Sequence, residues 1–343
     1  MKKLLGLTLE GLQAVAAEVG LRPFAARQMA AWLYKKRVSD INAMTDLPLA
    51  ARARLQQSYT IGRQEPIMEA RSTDGTAKYL FEGVGGRQIE AVCIPDHDRA
   101  TICVSSQAGC RMGCRFCMTG RGGFQGNLDA GAIINQVLSI PESESLTNIV
   151  FMGMGEPTDN LQAVMDAIAI LTQPWGLAWS PKRITVSTIG RIDALRQLLD
   201  QTKVHIAVSL HSPFAAERSG IMPVEKAFHA ADVIALLRQY DWTGQRRLSM
   251  EYTMFDSIND DDRHADALAR MLKGLHARVN LIRFHRIPGF EGAPSDRPTM
   301  EHFRDRLNQA GITATIRASR GEDIMAACGM LAGQKNKTAE NEQ

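Results

Sequence analysis

Three of the six cysteines in the 343-residue chain stand in one short loop, Gly109-Cys110-Arg-Met-Gly-Cys114-Arg-Phe-Cys117. The glycine-containing loop is short enough for three thiolates to converge on one metal centre. Soft sulfur donors select zinc or an iron–sulfur cluster. A structural zinc site wants four ligands, usually as two separated pairs. Three cysteines in one tight loop fit a cubane with one iron left open to a further ligand. Cys93 and Cys103 lie just upstream and Cys328 far downstream. An even cysteine count suggests disulfides, but a cytosolic chain of this size does not need staples. Crowded cysteines in such a chain more often bind metal or do redox chemistry.

Such a loop needs a scaffold, and after Arg99 the sequence alternates. Expected strands are Thr101–Ser105, Asn148–Met152, Arg183–Val186, Val204–Ser209, Ser249–Thr253, Val279–Arg283 and Thr313–Arg317. Expected helices between them are Asp129–Ser139, Leu161–Leu171, Asp193–Leu199, Ala231–Tyr240, Asp262–Leu275 and Met300–Ala310. This repetition implies parallel βαβ units with right-handed crossovers. About six units make an α/β fold, a partial or closed (β/α) barrel, whose ligands gather at the C-terminal strand ends. The cysteine loop directly follows the first such strand.

Residues 1–63 read as a helical accessory domain. Leu9, Leu12, Val15 and Ala16 have helical spacing, as do Phe24, Met29, Trp32, Leu33 and Lys36, with Pro23 near the start of that helix. Leu55 and Tyr59 lie near the end of a third helix. Lys35, Lys36, Arg37, Arg52 and Arg54 give the unit positive charge, a solvated face when judged alone. Residues 64–98 form a β-rich connector, with strands at residues 78–81 and 88–92 around the glycines 83, 85 and 86. The barrel occupies residues 99–333, and residues 334–343 read as a disordered tail.

Apolar residues make up 45% and charged residues 22%, an ordinary globular balance. No apolar run of about eighteen residues stands in the chain, so no membrane helix is expected. The start, Met1 to Gly6, is too short and too quickly polar for a signal peptide, which makes a cytoplasmic location the default. A net charge of +3 permits an anionic partner without demanding one.

The cysteine spacing resembles the radical S-adenosylmethionine signature. Further motifs narrow the likeness: Cys103-Val-Ser-Ser-Gln-Ala-Gly-Cys110, Gly153-Met-Gly-Glu-Pro157, Thr185-Val-Ser-Thr188, Ser209-Leu-His-Ser-Pro213 and Arg320-Gly-Glu-Asp-Ile-Met-Ala-Ala-Cys328-Gly. Together with Arg22-Pro-Phe-Ala-Ala-Arg-Gln and Met44-Thr-Asp-Leu, they resemble the adenosine C2 methyltransferases of 23S ribosomal RNA and their C8-methylating relatives, from about residue 8 to 333. The resemblance implies one 4Fe–4S cluster on Cys110, Cys114 and Cys117, with S-adenosylmethionine chelated to the open iron and cleaved by one electron. It implies two S-adenosylmethionine molecules per turnover and an electron donor such as a flavodoxin or ferredoxin system. An RNA substrate, ribosomal or transfer, and a monomeric enzyme complete the expectation.

By the same resemblance, Cys328 carries the methyl group as S-methylcysteine. C2 of adenine is electrophilic, so a direct polar transfer to it fails. Cys103 is the resolving thiol that closes a disulfide with Cys328 and frees the methylated base. Glu90 aligns with a proton acceptor, although a surface-facing strand glutamate is an equal reading. Gly155, Glu156, Ser187, Ser209, Leu210 and His211 form the cofactor pocket, Gly155 by close backbone approach and Glu156 by accepting from the ligand's ammonium. His285 stands where the family has asparagine, between the unusual neighbours Arg283 and Arg286. Cys93 has no role beyond packing. A radical enzyme of another reaction class and a non-catalytic iron–sulfur RNA-binding protein are the competing readings. Cys328 in its matching C-terminal motif argues against the first, and the presence of Glu156, Cys103 and Cys328 argues against the second.

Overall fold

The computed structural model describes residues 1–332. The tail expected at 334–343 lies outside the described residues. Seven strands run parallel in spatial sequence: Arg99–Cys103, Asn148–Phe151, Ile184–Thr188, His205–Ser209, Leu248–Met254, Ala277–Arg283 and Ala314–Ile316. Each expected barrel strand is present, with ends shifted by a few residues. Three antiparallel strands, Gln88–Asp96, Ala77–Glu82 and Met68–Arg71, extend the sheet beyond Arg99–Cys103.

Burial explains the parallel strands. Ile206, Ala207 and Val208 are all buried, so both faces of their strand are covered. The helices supply the outer cover. Leu161–Thr172 buries Val164, Ala167, Ile168, Ile170 and Leu171 against the sheet. Helix starts are fixed by aspartates that accept from backbone N–H groups: Asp129 from Ala132, Asp261 from His264 and Asp296 from Thr299.

The sheet curves enough for residues of all seven parallel strands or their flanks to line one central cavity. Among the described residues its first and last parallel strands do not pair, so the barrel is partial and open on one side. The segment 318–331 covers that opening and carries Cys328.

The N-terminal unit holds the helices Leu9–Glu18, Ala25–Ala30 and Leu49–Ser58. The second runs into a π-helical turn at Ala31–Lys35, and Arg37 follows at φ 55°. Lys2–Lys3 pairs in parallel with Tyr59–Thr60 and ties the two ends of the unit together. Sequence periodicity misses this pair, the strand Met68–Arg71, and the small hairpin of Gln107–Gly109 with Phe124–Asn127. These pieces are two to four residues long, too short for alternation to register.

Candidate active site

The hairpin of Gln107–Gly109 with Phe124–Asn127 is the base from which the cysteine loop springs. Gly109 sits at φ 76°, and a Cβ there would lie 1.8 Å from the Gly123 carbonyl oxygen, so only glycine closes this turn. The loop then packs on an apolar jacket of Met112, Ile189, Ile221, Met222, Phe255, Phe284 and Ile287. Phe116 places its ring edge-on to His211 at 4.8 Å and to Phe255 at 5.3 Å.

Cys110, Cys114 and Cys117 line a single cavity with Glu156, Ser187, Ser209 and His211. Burial pushes the Cys110 thiol up to about 12 and raises Cys114 and Cys117, and the sulfurs lie within one another's electrostatic field. Neutral thiols crowded in an apolar pocket fit a metal centre, because a bound cation reverses that penalty and displaces their protons. Among the described residues no three His, Cys, Asp or Glu side chains are gathered tightly enough for a single ion.

The cofactor-pocket residues divide. Gly155, Glu156, Ser187, Ser209 and His211 all line the cavity beside the cysteines. Gly155 sits at φ 101°, and a Cβ there would meet the Gln107 side chain at 2.6 Å, so this protein neighbour by itself excludes larger residues. Glu156 is also committed within the protein. Its Oε1 accepts from the Thr158 N–H at 3.0 Å and from the hydroxyls of Thr158 at 2.6 Å and Thr188 at 2.7 Å, while Oε2 accepts from the Ile189 N–H at 3.0 Å. These bonds bind the loops after two successive strands, although desolvation raises the pKa of the buried carboxyl. Leu210 is fully buried and absent from the cavity wall, and its carbonyl accepts from Arg218 Nε at 2.9 Å.

His211 adopts φ 57° at a strand end. Its Nδ1 accepts from the Thr253 N–H at 2.9 Å, and its carbonyl accepts from Asn259 Nδ2 at 2.7 Å. That bond to Nδ1 selects the tautomer with the proton on Nε2. Burial, aided by the Arg218 charge, lowers its pKa to about 3, so the ring is neutral.

A second cavity, about 320 Å³, lies across the barrel opening and brings Cys103, Cys117 and Cys328 together. Cys103 and Cys328 are free thiols here, and burial pushes Cys103 up to about 12. The Cys328 loop is held from two sides. The connector supplies Asp74 Oδ2 to the Gly321 N–H at 2.9 Å and Lys78 Nζ to the Met325 carbonyl at 3.4 Å, while the Thr73 N–H donates to Asp323 Oδ2 at 3.2 Å. The helix after the cysteine loop supplies the Met118 N–H to the Gly329 carbonyl at 2.8 Å and the Thr119 hydroxyl to the Leu331 carbonyl at 2.6 Å.

Glu90 is buried, so the surface-facing alternative fails. Its carboxylate lies 3.1 Å from Lys78 Nζ and accepts from the Ala332 N–H at 2.9 Å. His285 faces this second cavity and not the one beside the three cysteines. Its Nε2 lies 3.2 Å from the Ser319 hydroxyl and its Nδ1 3.3 Å from the Glu322 carboxylate. Cys93 is buried in the core, its thiol pushed up to about 12 by desolvation.

Sequence reasoning passed over Arg317. It follows the last parallel strand, donates its N–H to the Leu281 carbonyl at 2.8 Å, and aims Nη1 at Met152 Sδ at 3.7 Å. It lines the wall of both cavities with Cys328, whose charge is the largest influence raising its pKa. Its place at a strand C-terminal end was the available signal.

Comparison with known proteins agrees with this geometry. The radical SAM superfamily model matches residues 104–269, and a ribosomal RNA large subunit methyltransferase N-terminal domain matches residues 2–61. A probable dual-specificity RNA methyltransferase RlmN of Parabacteroides distasonis is 56% identical, with 98% of each chain covered. A dual-specificity RNA methyltransferase RlmN of Halorhodospira halophila is 40% identical, covering 97% of this chain and 94% of its own. The crystal structure of a radical SAM methyltransferase from Sphaerobacter thermophilus superposes with a TM-score of 0.90 at 39% identity, covering 96% of this chain and 99% of that one. The three-cysteine loop, the open barrel and likeness along nearly the whole chain place this protein in the RlmN family of radical S-adenosylmethionine RNA methyltransferases.

Proposed function

We propose that the enzyme methylates a base carbon of adenosine in RNA, C2 ahead of C8, with Cys328 as methyl carrier and Cys103 as resolving thiol. The observation that carries this reading is the single cavity onto which Cys103, Cys328 and the cluster ligand Cys117 all open. Cys110, Cys114 and Cys117 would hold a 4Fe–4S cluster, and the adjoining cavity with Gly155, Glu156, Ser187, Ser209 and His211 would hold S-adenosylmethionine. Together these groups supply an electrophilic methyl and one-electron cleavage of a sulfonium, two S-adenosylmethionine molecules serving each turnover.

The chain's own residues do the rest. Cys328 takes the methyl on sulfur, giving a thioether that presents its carbon to the base. Once that carbon is joined to the adenine, the Cys103 thiolate attacks the Cys328 sulfur. An S–S bond forms, the S–C bond breaks with its electron pair staying on the carbon, that carbon takes up a proton to become the methyl group, and the methylated base leaves. Glu90, on the strand next to Cys103, takes the base proton in this reading; His285 and Arg317 line the cavity that receives the nucleotide. The disulfide is then reduced by two electrons and two protons from an external dithiol, which is itself oxidised, for the next cycle.

Ribosomal RNA is the first substrate in this proposal, with transfer RNA second; the match of residues 2–61 supports that order. We also assign residues 1–63 to an RNA-contacting domain, 64–98 to a connector and 99–333 to the catalytic barrel. A monomer in the cytoplasm, fed electrons by a flavodoxin or ferredoxin system, fits a cluster and thiols that must stay reduced; no helix among the described residues is long and apolar enough to cross a membrane. Anaerobic reaction with ribosomal RNA fragments, followed by nucleoside mass spectrometry against 2-methyl- and 8-methyladenosine standards, tests the reaction. Product co-eluting with 2-methyladenosine is expected, and absence of any methylated adenosine would sink the proposal.

A further inference from the structure

The face of the barrel opposite the cysteines holds a cavity of about 350 Å³ at the N-terminal ends of the parallel strands. Five cations line it: Arg317, from the end of the last parallel strand, and four from separate strand starts. Arg99 opens the first parallel strand, Lys182 lies just before Ile184–Thr188, Arg247 just before Leu248–Met254, and Arg278 is the second residue of Ala277–Arg283. Asn148, Thr185, Ser249 and Thr315 add neutral polar lining. Glu251 is the one carboxylate in the wall; its Oε1 accepts from Asn280 Nδ2 at 2.8 Å and Ser249 Oγ at 2.9 Å, and its buried Oε2 has no hydrogen-bond partner among the described residues.

Helix C-termini also point to this end of a βαβ fold, and cations commonly neutralise them. Neighbouring arginines show what that use looks like. Arg246 donates to the Leu199 and Val204 carbonyls, each at 2.9 Å, Arg238 to those of Met271 and Lys273, and Arg183 to those of Leu146 and Thr147. Lys182 and Arg247, each next in sequence to one of these, make no such bond. Among the described residues Arg99, Lys182, Arg247 and Arg278 have neither an ion pair nor a side-chain hydrogen bond. Four like charges converging without partners repel one another, and a polyanion would relieve that repulsion.

We infer that this mouth of the barrel is a binding site for an oligophosphate, with Arg99, Lys182, Arg247 and Arg278 as its ligands. Two sources share that chemistry: the phosphodiester backbone of the RNA substrate and a free oligophosphate. Arg99 also lines the cavity of Cys103 and Cys328, which gives a bound RNA strand a continuous path between the two.

Isothermal titration of the iron-loaded enzyme with tripolyphosphate at low ionic strength tests the site. One equivalent should bind, and the doubly substituted R247Q/R278Q enzyme should bind at least about tenfold more weakly. Lys273→Gln, an exposed cation outside the cavity, controls for net charge and should bind as the parent does. Iron content and melting temperature should be unchanged in both variants. Failure of tripolyphosphate to bind, or equal binding by R247Q/R278Q, overturns the site. RNA competition then identifies the source. If RNA displaces tripolyphosphate and R247Q/R278Q flattens the salt dependence of RNA binding by about 0.7–0.9 log unit per lost contact, the backbone is the occupant. If RNA neither displaces it nor binds differently, the site takes a free oligophosphate.

Discussion

The cysteine loop and the pair Cys103 and Cys328 use the same side chain in opposite ways. Cys110, Cys114 and Cys117 belong to one loop, closed at its base by the glycines 109 and 123 and cushioned by an apolar jacket. Cys103 ends a strand at one edge of the barrel opening, while Cys328 hangs on a loop fastened by single hydrogen bonds to the connector and to the helix after the cysteine loop. The first set is fixed by short-range chain geometry, which suits a permanent ligand set. The second is fixed by bonds between distant segments, each weak enough to exchange, which suits a sulfur that must meet several partners in turn.

Breaking the local set should have the largest effect. Cys114→Ala should lose the bound iron, and with it all cleavage of S-adenosylmethionine and all methyl transfer. Iron analysis and detection of 5′-deoxyadenosine check this; a fully active variant would rule the cluster assignment out. Breaking the assembled pair should separate the functions. Cys328→Ala should keep its iron yet transfer no methyl group, whereas Cys103→Ala should accumulate a nuclease-sensitive protein–RNA adduct through Cys328. Normal turnover by Cys103→Ala, with no adduct in the mass spectrum, would contradict its role.

Loosening the Cys328 loop should give a graded result. Asp74→Ala removes one hydrogen bond from a carboxylate to the loop, of net value about 1.5–3 kcal/mol, so methyl transfer should fall by roughly ten- to a hundredfold with iron unaffected. Asp74→Asn, which retains an acceptor, should recover part of that rate. Equal losses of iron and activity would show general misfolding instead.

The cofactor pocket offers a pH test. The His211 pKa falls from an ordinary 6.5 to about 3 on burial. Its neutral form therefore contributes stability that is present above pH 6.5 and is lost progressively as pH falls towards 3. His211→Gln should have a flatter melting temperature across that window than the parent; parallel curves would remove His211 from the account.

The smallest effect should come from the N-terminal cations. Lys36 Nζ sits 3.2 Å over the Trp32 ring, and Arg37 Nη1 donates to Ser143 Oγ at 3.1 Å, so both of these cations are already engaged within the protein. Lys35→Gln should shift the salt slope of RNA binding by no more than one contact, about 0.7–0.9 log unit. A larger shift from this one residue would restore the unit to the centre of RNA recognition.

The sequence by itself determined the elements and the local site. Alternation of apolar strands with amphipathic helices fixes a parallel α/β scaffold, and cysteine spacing within one loop points to a soft-metal centre, because both depend on neighbours only a few residues away. Motif likeness pointed to Cys103 and Cys328, but only the open sheet and its covering loop place them on one cavity. Tertiary structure also decided that Glu156 accepts from threonine hydroxyls and backbone N–H groups, that the Leu210 carbonyl accepts from Arg218, and that His285 faces the second cavity. It likewise gathered four cations from separate strand starts. Which partner satisfies a buried polar group depends on segments far apart in the chain, and no spacing along the sequence records which strand starts share a rim.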